Sequence, residues 1–127
     1  MAGKLILIVE DNPSNLKLVK TVLSLEGYDI QTATNAEEAL ERLNTFHPHL
    51  ILMDVQLPGM DGLQLTKKLK GDTRFQNIII VALTAYAMKR DEEKALASGF
   101  DGYMTKPIDV RTFPNEILRY LKNKKAD

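Results

Sequence analysis

The chain predicts an α/β fold, a doubly wound parallel sheet with helices on both faces, and three observations carry that expectation. Short apolar runs alternate with helix-period segments five times along 127 residues, the pattern of parallel strands joined by crossover helices. The candidate strands are apolar almost throughout rather than at every second residue, as in sheets covered on both sides. Four of the runs also lead into polar residues. Leu5–Val9 leads into Glu10-Asp11, His49–Met53 into Asp54, Ile78–Leu83 into Thr84, and Gly102–Met104 into Thr105-Lys106-Pro107. In open sheets of this kind, ligands bind outside the carboxyl ends of the strands, where strand order reverses.

Lys4–Val9 reads as the first strand. Asn12-Pro13 follows as an N-cap and a proline at the first helical position, where its missing N–H costs little. Leu16, Val19, Val22 and Leu23 give that helix one apolar face, and Gly27 sits where a glycine ends a helix. Asp29–Ala33, more polar, is expected to be an edge strand. Asn35 with Glu38 three residues on makes a capping-box-like start, and Ala36, Ala39, Leu40 and Leu43 mark the buried side of the second helix. His49–Met53 is the third strand, about Leu63–Lys70 the third helix and Ile78–Leu83 the fourth strand. The fourth helix, about Ala87–Ser98, is rich in charge and has a thin apolar face. A short fifth strand precedes a fifth helix carrying Phe113, Ile117, Leu118 and Leu121. Pro114 leaves two geometries open, since a proline past the first turn removes a hydrogen bond and clashes with an earlier carbonyl. Either the regular helix starts near Pro114 after a looser turn at Val110–Phe113, or it bends there. No repeat, low-complexity stretch or linker interrupts the pattern, so residues 1–127 read as a single domain.

Composition excludes several functions. Hydrophobic residues make up 44% of the chain, ample for one core. Lys+Arg and Asp+Glu are balanced at 17 each, without the basic excess of a nucleic-acid binder. The absence of cysteine rules out disulfides and thiolate metal sites and fits a reducing compartment. No apolar run approaches the roughly 20 residues that span a bilayer. Met1-Ala2-Gly3-Lys4 leads almost directly into a strand, so no signal peptide is expected. The expected location is the cytoplasm, with no membrane partner and a monomer or weak dimer as the oligomeric state.

The polar strand ends carry the chemistry. Taken alone, Glu10-Asp11 also suits a helix cap, Thr84 a strand end and Lys106 a solvated side chain; their agreement at four strand ends points to one site. Two carboxylates about 4 Å apart repel by about 4 kcal/mol at an effective dielectric of about 20, so protons or a cation must offset Glu10, Asp11 and Asp54. Mg²⁺ suits that task, with Mn²⁺ as a substitute, because it takes oxygen ligands and bridges carboxylates to phosphate. Asp54 is then the nucleophile toward a phosphorus atom, and Lys106 and Thr84 offer an ammonium and a hydroxyl to the phosphoryl oxygens. The small Ala85 lets a backbone N–H come close to the same oxygens.

The residues Ile8-Val9-Glu10-Asp11-Asn12, Leu52-Met53-Asp54-Val55-Gln56-Leu57-Pro58-Gly59-Met60-Asp61-Gly62, Leu83-Thr84-Ala85 and Gly102-Tyr103-Met104-Thr105-Lys106-Pro107 carry a resemblance. The chain resembles the response-regulator receiver domains of two-component signalling over essentially its whole length. That resemblance implies a flavodoxin-like sheet in strand order 2-1-3-4-5 with five flanking helices. It implies a signalling phosphoacceptor rather than an enzyme, with Asp54 receiving a phosphoryl group from histidine on a kinase or phosphotransfer protein. It further implies Asp11, Asp54 and the Gln56 carbonyl as direct metal ligands, Glu10 acting mostly through water, Lys106 pairing with the phosphoryl group, and a cis Lys106-Pro107 bond.

Signal readout follows from the same resemblance. Phosphorylation adds close to two negative charges, and Thr84 can donate to them only by moving inward. Tyr103 stands where the family carries the aromatic that fills the space left behind; the alternative is a half-buried core tyrosine. The fourth helix is expected to shift and, with strand five and helix five, to form the face that binds a downstream protein. Gln56 and Tyr86 should tune the lifetime of the phosphoryl group, the ring of Tyr86 hindering approach of water. His47 and His49 lie before the third strand, away from the acids, and carry no assigned role. Two rival readings are a receiver cut from a hybrid histidine kinase and an aspartate-nucleophile phosphatase. The phosphatase usually needs a second acid two residues on, where Gln56 stands. A flavin or nucleotide domain lacks support, because no glycine-rich loop follows the first strand.

Overall fold

The computed structural model describes residues 4–57, 59–85 and 89–123. Its elements are β1 (Leu5–Val9), α1 (Pro13–Leu25), β2 (Asp29–Ala33), α2 (Ala36–Arg42), β3 (Leu50–Asp54), α3 (Gly62–Lys70), β4 (Ile79–Thr84), α4 (Lys89–Ala97), β5 (Gly102–Thr105) and α5 (Phe113–Asn123). The strands are all parallel, in the order β2-β1-β3-β4-β5. Strand order therefore reverses between β1 and β3, and the carboxyl ends of these two strands open onto the same crevice.

Alternate residues of the three central strands feed two separate cores. Leu7, Val9, Ile51, Met53, Ile80 and Ala82 pack on one face with the helices α2, α3 and α4. Ile6, Ile8, Leu50, Leu52, Ile79, Val81 and Leu83 pack on the other with Val19 and Leu23 of α1 and Phe113 and Ile117 of α5. This double coverage is why these strands show no alternation in sequence. β2, at the sheet edge, keeps only Ala33 fully buried, as its polar composition anticipates.

Local capping sets the helix starts. The Asn12 side chain accepts from the Asn15 N–H at 3.0 Å, with Pro13 at the first helical position. Asn35 likewise accepts from the Glu38 N–H, but the Glu38 carboxylate returns to the Thr34 N–H at 2.6 Å rather than to Asn35. The box at α2 thus closes one residue early. At α3 Asp61 and Gln64 form a complete capping box. Pro114 takes the first of its two geometries. A turn over Asp109–Thr112 precedes a helix whose first residue is Phe113, so the proline occupies the second position, where no intrahelical donor is required. The Lys106-Pro107 bond is cis. Met1, Ala2, Gly3, Pro58, Tyr86 and Ala87, named above, lie outside the described residues.

Candidate phosphoryl and metal site

β1 and β3 stop at the crevice, and the residues that stop them are acids. Glu10 directly follows β1 and is 1% exposed; Asp54 ends β3 and is 5% exposed. Asp11, one residue on, is exposed. Each of the three offers a carboxylate oxygen, and these oxygens all lie within 4.8 Å of one another. The cis Lys106-Pro107 link follows β5, and the Lys106 N–H donates to the Thr84 carbonyl at 2.8 Å. That contact carries the ammonium over the acids: Lys106 Nζ lies 3.0 Å from Asp54 Oδ2 and 3.0 Å from Glu10 Oε1. The Gln56 N–H donates to Asp54 Oδ1 at 2.9 Å, so each Asp54 oxygen has a donor.

Electrostatics separates the two buried acids. Burial, reinforced by the neighbouring Glu10 carboxylate, pushes the Asp54 carboxyl up to about 6, against the pull of the Gln56 N–H and Lys106. Glu10 goes the other way. Burial works against its charge, but hydrogen bonds from Asp54, Lys106, the Asn12 N–H and Asn15 outweigh it and hold it below the usual carboxylate range. Burial acts against the Lys106 ammonium as well, and the two carboxylates more than offset it, raising its pKa. Hard oxygen donors without nitrogen or sulfur, gathered beside an ammonium, fit a small divalent cation such as Mg²⁺.

The remaining predicted residues fall around this pocket. Thr84, 2% exposed, ends β4, and the next residue, Ala85, is exposed at the rim. Tyr103 is half-buried on β5 opposite Ala82, and packs against the core face shared with α4. Thr84 lies two residues beyond Ala82 on the same strand, so Thr84 and Tyr103 share that face. Tyr86 falls outside the described residues. His47 stacks on Phe75 with ring centroids 6.4 Å apart, and His49 Nδ1 accepts from the Leu5 N–H at 3.0 Å. Both histidines thus serve the amino ends of the strands.

Two further residues of the site have roles that the sequence did not assign, although Gly62 stands in the motif that follows Asp54. Asn15 donates from Nδ2 to Glu10 Oε1 at 2.6 Å. The signal for it was a polar residue four before Val19, on the stripe of α1 that otherwise carries Leu16, Val19 and Leu23. Gly62 donates its N–H to the Val55 carbonyl at 2.9 Å, and a Cβ there would stand 2.6 Å from the Asp54 carbonyl oxygen. Only glycine lets the start of α3 lie against the end of β3.

Residues 6–118 match the response regulator receiver domain family. The polar-differentiation response regulator DivK of Brucella ovis is 43% identical over 118 residues, covering 93% of this chain and 96% of that protein. Among solved structures, the receiver domain of a signal transduction histidine kinase from Syntrophus aciditrophicus is 34% identical with a TM-score of 0.88, covering 98% of this chain and 95% of that one. The receiver domain of a sensor histidine kinase from Pseudomonas aeruginosa PAO1, 30% identical with a TM-score of 0.86, covers 96% and 100% respectively and holds a magnesium ion in its active-site cleft. With strand order, crevice and motifs in agreement, this chain belongs to the response regulator receiver domain family of two-component signalling.

Proposed function

We propose that the chain is a phosphoacceptor that takes a phosphoryl group onto Asp54 from a phosphohistidine on a kinase or phosphotransfer protein, and signals by phosphorylation-dependent binding. The observation that carries this reading is the position of Lys106 Nζ, 3.0 Å from both Asp54 and Glu10 across strand ends far apart in sequence. A carboxylate oxygen of Asp54 attacks phosphorus, the bond from phosphorus to the donor nitrogen breaks, and the electron pair leaves with the imidazole. Lys106, with 23% of its side chain exposed, turns from the carboxylates to the phosphoryl oxygens, uncovering Asp54 Oδ2 as it goes. Thr84 donates its hydroxyl, and the N–H of Ala85 approaches the same oxygens. Asp11, Asp54 and the Gln56 carbonyl would hold Mg²⁺, with Glu10 acting through water, and the cation would supply charge neutralisation on the transferring oxygens.

Readout in this proposal passes through Thr84 and Tyr103 to the face formed by α4, β5 and α5, where a downstream protein binds in the cytoplasm. Gln56 and Tyr86 set the lifetime of the phosphoryl group. The receiver domain covers 1–127, and a stand-alone regulator is the reading favoured by the likeness to DivK, 96% of whose length this chain covers. A receiver belonging to a hybrid kinase is the second reading, favoured by two solved relatives that are receiver domains of histidine kinases.

Incubation with acetyl phosphate and Mg²⁺, followed by intact mass, tests the acceptor. Wild type should gain one phosphoryl group and Asp54→Asn none; equal labelling of both would remove Asp54 from this role. After removal of donor, the group should leave Tyr86→Ala faster than wild type, and an unchanged or slower loss would take Tyr86 out of the lifetime assignment.

A further inference from the structure

We propose that Asn15 is a positioning residue that holds the Glu10 carboxylate in place when Lys106 leaves it for the incoming phosphoryl group. The inference rests on the reading of Asp54 as phosphoacceptor and concerns a residue outside the motifs that led to it. Glu10 is 1% exposed, and a buried carboxylate is costly unless donors surround it. Among the described residues it has the Asn12 N–H on Oε2 at 3.2 Å, and Asn15 Nδ2 at 2.6 Å and Lys106 Nζ at 3.0 Å on Oε1. These donors differ in what else they do. Lys106 is shared with Asp54 and partly exposed, so it is the one that moves. The Asn12 N–H is the longest of the contacts and is fixed in the backbone.

The Asp54 carboxyl also donates to Glu10 while it holds its proton, but has none to give once its carboxylate attacks phosphorus, so Asn15 is the side-chain donor that remains. Its own backbone is anchored independently of the pocket, because Asn12 caps it at 3.0 Å and the Leu16 N–H returns to the Asn12 carbonyl at 2.9 Å. The preceding Pro13 fixes one backbone dihedral of the same turn. A side chain on this stripe of α1 normally packs into the core, as Val19 does four residues on at 0% exposure. An amide there instead aims at the acid. With Asn15 in place, Glu10 does not depend on Lys106 and does not compete with the phosphoryl group for it. Without the amide, Lys106 is the remaining side-chain donor to Glu10 and is held back, while Glu10 itself is free to rotate away from the cation.

The test compares wild type with Asn15→Leu, which keeps the bulk and removes the donor, and Asn15→Gln, which keeps an amide. Mg²⁺ is titrated without phosphodonor and followed by the backbone amide signals of Asn12 and Gln56, which donate to Glu10 and Asp54. Outer partners of metal sites typically contribute about tenfold or more to affinity or activity, so Asn15→Leu should weaken Mg²⁺ by about that factor. At saturating Mg²⁺, labelling by acetyl phosphate should also slow, and Asn15→Gln should recover part of both. Urea midpoints report the fold separately, and Asn15→Ala replaces the leucine variant if that one fails to fold. Phosphorylated wild type matched by Asn15→Leu in both readouts overturns this inference alone, as does a loss in Asn15→Gln equal to that in Asn15→Leu. A wild type that takes up no phosphoryl group overturns the acceptor reading and this inference with it.

Discussion

Asp54 keeps its proton to a higher pH than a carboxyl in water, and this has a cost that the fold carries. Burial and the nearby Glu10 raise it to about 6, whereas the unfolded chain titrates near the ordinary value of about 3.9. Between those values the folded state binds more protons, so stability is fully present below about pH 4 and falls as pH rises through about 6. Glu10, held low, works in the opposite sense: its contribution is present above about pH 4.3 and is lost as pH falls through its folded value. The net result above pH 6 is a crowded anionic pocket. Removing one charge should relieve it. In metal-free buffer at pH 7.5, Asp54→Asn is expected to be more stable than wild type by about 1–3 kcal/mol. Thermal melts across pH 4 to 8 check this, with the gap between the proteins closing toward acid. Mg²⁺ should raise the melting temperature of wild type far more than that of the mutant. A mutant less stable than wild type at pH 7.5 would mean that Asp54 earns its place through the Lys106 ion pair.

At the scale of elements, most of the scaffold was legible because both signals it uses are local. Apolar runs bounded by turn residues located all five strands, and cap residues such as Asn12 and Asn35 located helix starts. Boundaries shifted by a residue or two where tertiary pairing decides: Asp54 and Thr84 belong to β3 and β4 because their backbones pair with Leu83 and Thr105. The acids, lysine and threonine of the site were legible because each ends a strand. Asn15 and Gly62 were not, since their roles exist only once α1 and α3 are laid against the crevice. Gly62 is the sharper case. A Cβ there would meet the Asp54 carbonyl oxygen at 2.6 Å and the Val55 Cα at 2.9 Å, both backbone atoms that cannot rotate aside. Gly62→Ala should therefore destabilise the fold by about 1–3 kcal/mol, the range for overpacking, despite the better helix propensity of alanine. Because the displaced atoms belong to the segment carrying Asp54, Mg²⁺ affinity should fall as well. An unchanged urea midpoint with unchanged Mg²⁺ binding would show that the start of α3 yields without moving β3.

At the scale of the whole molecule, the bonding around α4 is asymmetric. Beyond its carboxyl end, Lys70 Nζ donates to the Ile78 carbonyl at 2.8 Å and to Asp101 Oδ2 at 2.8 Å, and the same Asp101 oxygen accepts from the Ile80 N–H at 2.8 Å. Gly99, at φ 106°, packs its backbone onto the Lys70 stem, and a Cβ there would come 3.0 Å from Lys70 Cγ. This staple ties the α4–β5 turn to α3 and β4. Among the described side chains of α4, those of residues 93–97, only Ala95 is buried, and Leu96 is 48% exposed. The Thr84 end of the system is joined to the pocket by the Lys106 N–H on the Thr84 carbonyl at 2.8 Å. A helix held beyond its carboxyl end, and lightly packed among its described side chains, pivots more readily than it slides. Beryllofluoride with Mg²⁺, a mimic of the phosphoryl group, should then move backbone amide signals strongly at Thr84–Ala85, at Tyr103–Lys106 and in the first described turn of α4. Signals at Gly99–Asp101 and along β2 and α2 should stay nearly still. Coupling energies of such transitions are about 1–3 kcal/mol, enough for a several-fold to hundredfold change in partner affinity. Weakening the staple with Lys70→Met should spread the shifts into Gly99–Asp101 and loosen the link between pocket and face. Shifts at Gly99–Asp101 in wild type as large as those at Tyr103 would exclude a pivot and require α4 to move as a whole.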